Sequence, residues 1–170
     1  MNPTKTLLPL FFLFVSFDSI AQSQEKIYSV MMLNFAKGMQ WPAASQAGSF
    51  IIGVLEYPPL ASELGALSSN IKLGSRKIEI KEFDAPERVS GCHMLFIPAY
   101  KTKKLPDVAA RLGTNATLIV TNKMDYAKKG AGINFVLVDG KTRFEINTKA
   151  IAKSGIKVSS GIKGLGILVE

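Results

Sequence analysis

The sequence predicts an α/β protein with a largely parallel sheet that is covered by helices on both faces. Short, continuous apolar runs, typical of strands buried on both faces, alternate with segments of helical character. Near the end of the chain, Asp139-Gly140 separates two strand-like runs, which predicts an antiparallel hairpin. Buried strands that alternate with helices favour parallel pairing, with the helices packed on the sheet.

The first element is a helix predicted over residues 24–39. Pro42 prevents its continuation, because proline lacks the backbone N–H that a helix interior needs. Five side chains recur at helical spacing and are expected to face the core, namely Ile27, Val30, Met31, Asn34 and Phe35.

The following segments alternate between strands and helices. Strands are predicted at residues 50–55, 77–83, 94–97 and 117–121, and helices at residues 58–67 and 106–112. The second strand alternates polar and apolar residues, which is typical of a strand near a sheet edge.

The hairpin strands are predicted at residues 133–138 and 142–146, and Asn147 is expected to cap a helix that ends near residue 154. The tail, residues 159–169, is apolar but interrupted by glycines, and its pattern fits either a helix or a strand.

The first 21 residues have the three parts of a cleavable signal peptide. Lys5 supplies positive charge, residues 7–17 form an apolar run, and Ser19 and Ala21 place small side chains at the two positions that signal peptidase reads. A membrane anchor needs about 20 apolar residues, so this run is too short. We therefore expect export, cleavage after about Ala21, no stable membrane insertion afterwards, and one mature domain over residues 22–170.

Composition narrows the classes of partner. The formal net charge is +8, but the lysines are scattered or in small clusters without interleaved aromatic residues, which argues against nucleic-acid binding. A solvated basic surface is the simplest reading, with an acidic partner or a lipid surface as alternatives. Cys92 is the single cysteine, which excludes an internal disulfide, and its apolar surroundings in the sequence predict burial.

No pattern supports catalysis, a cofactor or a metal. The first buried strand runs into Glu56-Tyr57-Pro58-Pro59, where a phosphate-binding turn would need glycines. The only histidine, His93, has no nucleophile or ligand set in the sequence around it. We expect no catalytic, metal or cofactor-binding residues, and a structural role for this histidine.

Five segments occur in a characteristic order along the chain. They are Leu33-Asn34-Phe35-Ala36-Lys37 running into Trp41-Pro42, the strand of residues 50–55 followed by a proline-containing turn, Cys92-His93-Met94-Leu95-Phe96-Ile97, the pair of stretches 130–135 and 143–147, and Ala150 to Ser160. In these segments the chain resembles the YfiR family of periplasmic proteins. The shared residues are mainly determinants of the fold.

The resemblance implies a Rossmann-like three-layer α/β sandwich, often a homodimer, without enzymatic activity. It further implies a periplasmic repressor that binds an inner-membrane diguanylate cyclase, so that its release raises cyclic-di-GMP and favours biofilm. The partner could equally be another membrane sensor such as a histidine kinase. This chain departs from the best-understood members in carrying Cys92 alone, which excludes redox sensing through an internal disulfide.

Two sets of residues are candidates for function. The apolar tail predicts a partner interface at Ile162, Leu165 and Ile167, with a terminal core element as the alternative. A ligand rim at the carboxyl ends of the strands would include Glu56, Tyr57, Pro98, Tyr100 and Asn122. That rim supports a second hypothesis, a small-molecule sensor, while an exported enzyme is the least supported of the three.

Overall fold

The computed structural model describes residues 23–169, so the predicted signal peptide lies outside the described residues. Within this range, no helix is both long and apolar enough to cross a lipid bilayer.

Helices and strands alternate along the chain, and every predicted element is present with bounds within one residue of the prediction. The helices are α1 (Gln24–Gly38), α2 (Pro58–Ser68), α3 (Leu105–Leu112), α4 (Thr148–Lys153) and α5 (Ser160–Leu165). The strands are β1 (Met39–Gln40), β2 (Phe50–Leu55), β3 (Lys72–Leu73), β4 (Arg76–Phe83), β5 (Met94–Ile97), β6 (Leu118–Thr121), β7 (Ile133–Val138), β8 (Lys141–Asn147), β9 (Lys157–Val158) and β10 (Ile167–Val169).

Eight strands form one mostly parallel sheet, in the order β10-β8-β7-β6-β5-β2-β4-β3. Its central strands, β4, β2, β5, β6 and β7, are parallel to their neighbours in this series. Strand β8 runs antiparallel to β7, and β10 runs parallel to β8 at the outer edge. The short strands β1 and β9 pair with each other and tie the end of α1 to the segment after α4. The mixed α/β class predicted from the sequence is confirmed.

The two faces of the sheet carry separate hydrophobic clusters, because side chains of a strand point alternately to opposite faces. On β5, Met94 and Phe96 belong to the larger cluster with α1 and α2, whereas Leu95 and Ile97 pack with α3. Burial on both faces explains why β2, β5 and β6 read as continuous apolar runs.

Strands β7 and β8 join through Asp139 and Gly140, with Val138 opposite Lys141. Both turn residues have positive φ, 49° and 72°, as a two-residue turn of this kind requires. Asn147, the last residue of β8, then caps α4, since its side-chain oxygen accepts a hydrogen bond from the Ala150 N–H at 2.8 Å.

The prediction for the buried face of α1 was correct for Phe35 but wrong for Val30 and Asn34. Val30 is 42% exposed and Asn34 is exposed, whereas the core-facing residues are Tyr28, Ser29, Met32, Leu33, Phe35 and Ala36. The helix is therefore rotated by about one residue, roughly 100°, from the predicted stripe. The reason is aromatic packing, because the Tyr28 ring stacks on Phe135 with centroids 4.2 Å apart.

Candidate functional site

An exposed apolar surface lies at the sheet edge formed by the end of the chain. Leu165 is 65% exposed, Leu168 60% and Ile167 37%, and we call these three residues the C-terminal patch. The tail that fits either a helix or a strand contains both, since α5 is followed directly by β10. Ile167 and Leu168 are successive residues of β10 and point to opposite faces, so the C-terminal patch covers both sides of the edge strand. Exposed apolar side chains of this size are typical of contact surfaces.

Local contacts orient α5 so that one apolar residue faces inward and another outward. The Ser159 hydroxyl caps α5 by accepting from the Ile162 N–H at 3.4 Å. Ile162 is only 8% exposed and packs so closely against Gly38 that a Cβ there would lie 2.8 Å from Ile162 Cγ1. Of the predicted interface residues, Ile162 therefore lies in the core, whereas Leu165 and Ile167 face solvent.

The turn from α5 into β10 depends on a close approach at Gly166. A Cβ at this position would lie 2.6 Å from Ile146 Cγ1 and 2.7 Å from Phe144 Cε2. The absence of a side chain lets β10 lie against β8, with Leu168 opposite Ile146 in the register. Within residues 23–169, β10 pairs on one side only, so its other edge presents backbone groups to solvent.

A groove of about 420 Å³ adjoins the C-terminal patch. Phe35, Phe144 and Ile162 line its apolar part, and Leu165 forms one wall. Arg143 supplies its only charge among the residues described. The patch and groove together form an apolar surface with a cationic border, which suits a protein segment better than a polar metabolite.

The predicted ligand rim is brought together at the carboxyl ends of β2, β5 and β6. The Tyr100 hydroxyl donates to the Glu56 carbonyl, and the rings of Tyr57 and Tyr100 meet edge to face with centroids 6.5 Å apart. Asn122 is linked through its Oδ1, which accepts from the Ala99 N–H at 2.7 Å.

Contacts within the protein already occupy the polar groups of this rim. Lys101 Nζ lies 2.5 Å from Glu56 Oε2, and the Tyr57 hydroxyl donates to Glu25 Oε1 at 2.5 Å. Glu56 has a φ of 45°, an uncommon conformation for glutamate, held by these contacts and by its N–H, which donates to the Phe83 carbonyl at 2.8 Å.

The hydrogen bond between Tyr57 and Glu25 shifts the pKa values of both side chains. The hydrogen bond to the carboxylate raises the pKa of Tyr57 to about 12, with burial as a second cause. The same bond lowers the pKa of Glu25 below its usual value. Since the two pKa values move apart, the phenol stays protonated and the carboxylate ionised near neutral pH, and neither acts as an acid or base there.

Cys92 and His93, whose residue types are often used in catalysis, have structural roles here. Cys92 is buried, and burial raises its pKa to about 12, so it is not a nucleophile. His93 is held by backbone groups of Ile51 and Ser45. Within the described part of the chain, no three His, Cys, Asp or Glu residues are grouped as metal ligands would be.

Sequence reasoning missed three participants. Glu25 and Lys101 complete the rim contacts, and Leu168 enlarges the C-terminal patch. The apolar run at residues 167–169 is a local signal that could have included Leu168, but no local signal places Glu25 opposite Tyr57, which is 32 residues away.

Comparison with known proteins identifies the family. The family model described as YfiR/HmsC-like matches residues 25–166, which is most of the chain. No curated protein matches the sequence. The resemblance seen in the five sequence segments is thus confirmed, and the chain belongs to the YfiR/HmsC-like family.

Proposed function

We propose that this protein is a non-enzymatic periplasmic regulator that binds a membrane-embedded diguanylate cyclase and represses it. Family membership suggests a regulator of diguanylate cyclase signalling, and the family is regulatory, non-catalytic and periplasmic. The observation that carries the proposal to a surface of this chain is the C-terminal patch beside its apolar groove.

The patch supports a role in partner binding because its apolar area is otherwise unexplained. Leu165 and Leu168 are each more than half exposed, and burying a leucine side chain is worth about 1.5–3 kcal/mol. The free edge of β10 offers a second contact, because a partner strand that pairs with it would extend the sheet.

The remaining parts of the proposal rest on the predicted signal peptide and on what the family resemblance implies. Cleavage after about Ala21 would release a single domain, residues 22–170, into the periplasm, where it acts as a homodimer. We also propose the Rossmann-like three-layer arrangement that the resemblance implies. Such a protein can influence the cell interior only through a partner that crosses the membrane.

Two matched substitutions test the proposed interface. Leu165→Glu places a charge in the patch, whereas Met124→Glu places one at another exposed apolar residue, 78% exposed in the loop after β6. In cells that lack the native copy, we expect wild-type protein and Met124→Glu to lower cyclic-di-GMP, and Leu165→Glu to leave it high.

Stability and capture measurements make this test decisive. Both variants should keep the melting temperature of the wild type, because both positions are exposed. Capture from solubilised membranes should recover a protein with a diguanylate cyclase domain, with at least tenfold less bound to Leu165→Glu. If the deletion leaves cyclic-di-GMP unchanged, or if Leu165→Glu represses as well as the wild type, the proposal is wrong.

A second candidate is a small-molecule sensor that acts with another membrane protein such as a histidine kinase. The observation that favours it is the convergence of Glu56, Tyr57, Tyr100 and Asn122 at one rim. A thermal-shift screen with periplasmic metabolites, repeated on Tyr100→Phe, tests this candidate. A ligand that stabilises the wild type but not the variant supports it, and a screen without shifts removes it.

A further inference from the structure

Two clefts flank helix α4, and lysines line both of them. The first, about 600 Å³, lies between α4, β9 and α5 and contains Lys149, Lys157 and Lys163. The second, about 300 Å³, lies between α4 and α3 and contains Lys129 and Lys153. No aspartate or glutamate among residues 23–169 lines either cleft.

The clefts around α4 bring several exposed lysines close together. Lys129, Lys153, Lys157 and Lys163, which we call the basic ridge, are exposed and form no ion pair with any described residue. Absence of an ion pair is common among the described lysines, and Lys101, with Glu56, and Lys104, with Asp107, are exceptions, so the ridge is distinguished by its concentration of charge. Lys129 also lies over the Tyr126 ring at 4.8 Å, a contact that retains its charge.

Helix-terminal electrostatics explains only part of this pattern. Lys153 lies in the last turn of α4 and Lys163 in the last turn of α5, where a positive charge stabilises the helix dipole. Lys129 and Lys157 lie outside any helix and have no such role. Among the described residues, no aspartate or glutamate lines the clefts that hold these two lysines, which favours contact with an anion.

The residues that line the two clefts favour an anionic membrane over an acidic protein as the partner of this surface. A specific protein interface has an apolar core, but none of the large exposed apolar side chains lines either cleft. The exposed residues of α4 are small or basic, such as Ala152 and Lys153. Adsorption to lipid headgroups requires only positive charge close to the surface, which this ridge supplies.

We propose that the basic ridge docks this protein on anionic phospholipid headgroups, without insertion into the bilayer. The α4 helix forms the shared wall of both clefts, so a surface that rests on it lies within reach of lysines on either side. Lys163 and Leu165 lie about 200° apart around α5, so docking through Lys163 leaves the C-terminal patch facing away from the headgroups and accessible to a partner. This inference goes beyond the proposed function and does not depend on the identity of the partner.

Vesicle sedimentation tests the docking surface directly. The protein is purified from a periplasmic fraction and mixed with vesicles of phosphatidylglycerol and phosphatidylcholine, or of phosphatidylcholine alone. We expect binding to the anionic vesicles at about 0.02 M salt, loss of binding at about 0.5 M salt, and none to the neutral vesicles.

A matched pair of double variants locates the surface. The ridge variant is Lys153→Gln with Lys157→Gln, and the control is Lys72→Gln with Lys77→Gln on β3 and β4, which removes the same charge at the other edge of the sheet. Each lysine near an anionic surface contributes about fivefold in affinity, so the ridge variant should bind about 25-fold more weakly, and the control close to wild type.

Three results would overturn the inference. The first is no binding to anionic vesicles at low salt. The second is an equal loss in both double variants, which would make net charge alone responsible. The third is ridge-dependent binding to poly-glutamate but not to vesicles, which would assign the surface to an acidic protein segment. Circular dichroism melting of both variants shows that the comparison is made on folded protein.

Discussion

The half-buried His93 ring joins the loop after α1 to the start of the sheet. Its Nδ1 accepts a hydrogen bond from the Ile51 N–H at 3.0 Å, so the proton must reside on Nε2, which donates to the Ser45 carbonyl at 2.7 Å. Arg76 Nη2 lies 2.9 Å from the same Nε2 and donates instead to the Ser49 carbonyl at 3.0 Å. The site therefore accepts only the neutral imidazole.

This geometry gives the stability of the protein a definite pH dependence. Burial lowers the pKa of His93 below its usual value of 6.5, and the positive charge of Arg76 lowers it further. When pH falls below 6.5, the unfolded chain binds a proton that the folded protein refuses. The contribution of His93 to stability is thus present above pH 6.5 and is lost as pH falls toward its lower folded pKa.

The perturbation we propose is His93→Phe, which keeps a ring against Phe50, whose centroid lies 4.7 Å from that of His93. It removes two hydrogen bonds at about 0.5–1.5 kcal/mol each, so the free energy of unfolding should fall by about 1–3 kcal/mol near pH 7.5. This gap, the difference in unfolding free energy between the wild type and the variant, should be smaller at about pH 5.5. It should shrink by well under about 1.4 kcal/mol per pH unit, the limit for one full proton, because solvent screens the half-exposed ring.

Urea unfolding followed by tryptophan fluorescence measures this gap, since Trp41 packs edge-on against Phe50 beside the histidine. Both proteins are unfolded at several pH values between about 5.5 and 7.5, where most carboxylates stay ionised. A gap that is constant over this range would refute the assignment of the neutral tautomer. A gap below about 0.5 kcal/mol near pH 7.5 would refute a structural role for the two hydrogen bonds.

Three further predictions follow from contacts elsewhere. Gly166→Ala should destabilise the protein by about 1–3 kcal/mol in urea unfolding, because a Cβ would lie 2.7 Å from Phe144 Cε2. Cys92 is 6% exposed with its pKa raised to about 12 by burial, so a thiol reagent should label it only at the rate of unfolding. Tyr57→Phe should cost about 1 kcal/mol near neutral pH, and this cost should disappear as pH falls through the lowered pKa of Glu25, which loses its charge there.

Controls for these predictions come from matched positions. Gly161→Ala should be nearly neutral, since a Cβ there meets nothing within 4 Å, and an equal loss at both glycines would contradict the packing argument. Rapid labelling of Cys92 in native buffer would contradict its burial. Tyr100→Phe removes a hydrogen bond to a backbone carbonyl, so its cost should not change with pH; the same pH dependence in both tyrosine variants would remove the role of Glu25.

Local pattern was enough to predict most of the elements. The continuous apolar runs at β2 and β5 have the predicted bounds, and Asn147 caps α4 as expected. Such signals act over a few residues, through strand burial or a single capping hydrogen bond. The two-residue strands β1, β3 and β9 were not predicted, because pairing with a distant segment creates them.

The face of α1 shows where local pattern fails. The predicted core face included Val30 and left out Tyr28, but Tyr28 stacks on Phe135 and Val30 is 42% exposed. A tyrosine can be buried when its ring finds an aromatic partner, and that partner lies on a strand more than 100 residues away in the chain. The helix was therefore predicted correctly, while its orientation was decided by the sheet.

For the candidate surfaces, too, local sequence predicted some features and only the tertiary structure decided others. The sequence by itself determined that the tail is apolar and that the rim residues follow buried strands. Only the tertiary structure decided that Ile162 is buried against Gly38 and that Leu165 and Ile167 face solvent. It also decided that Glu25 and Lys101 engage the rim. The physical reason is that burial and pairing depend on which remote surfaces meet, whereas helix and strand formation depend mainly on neighbours in the chain.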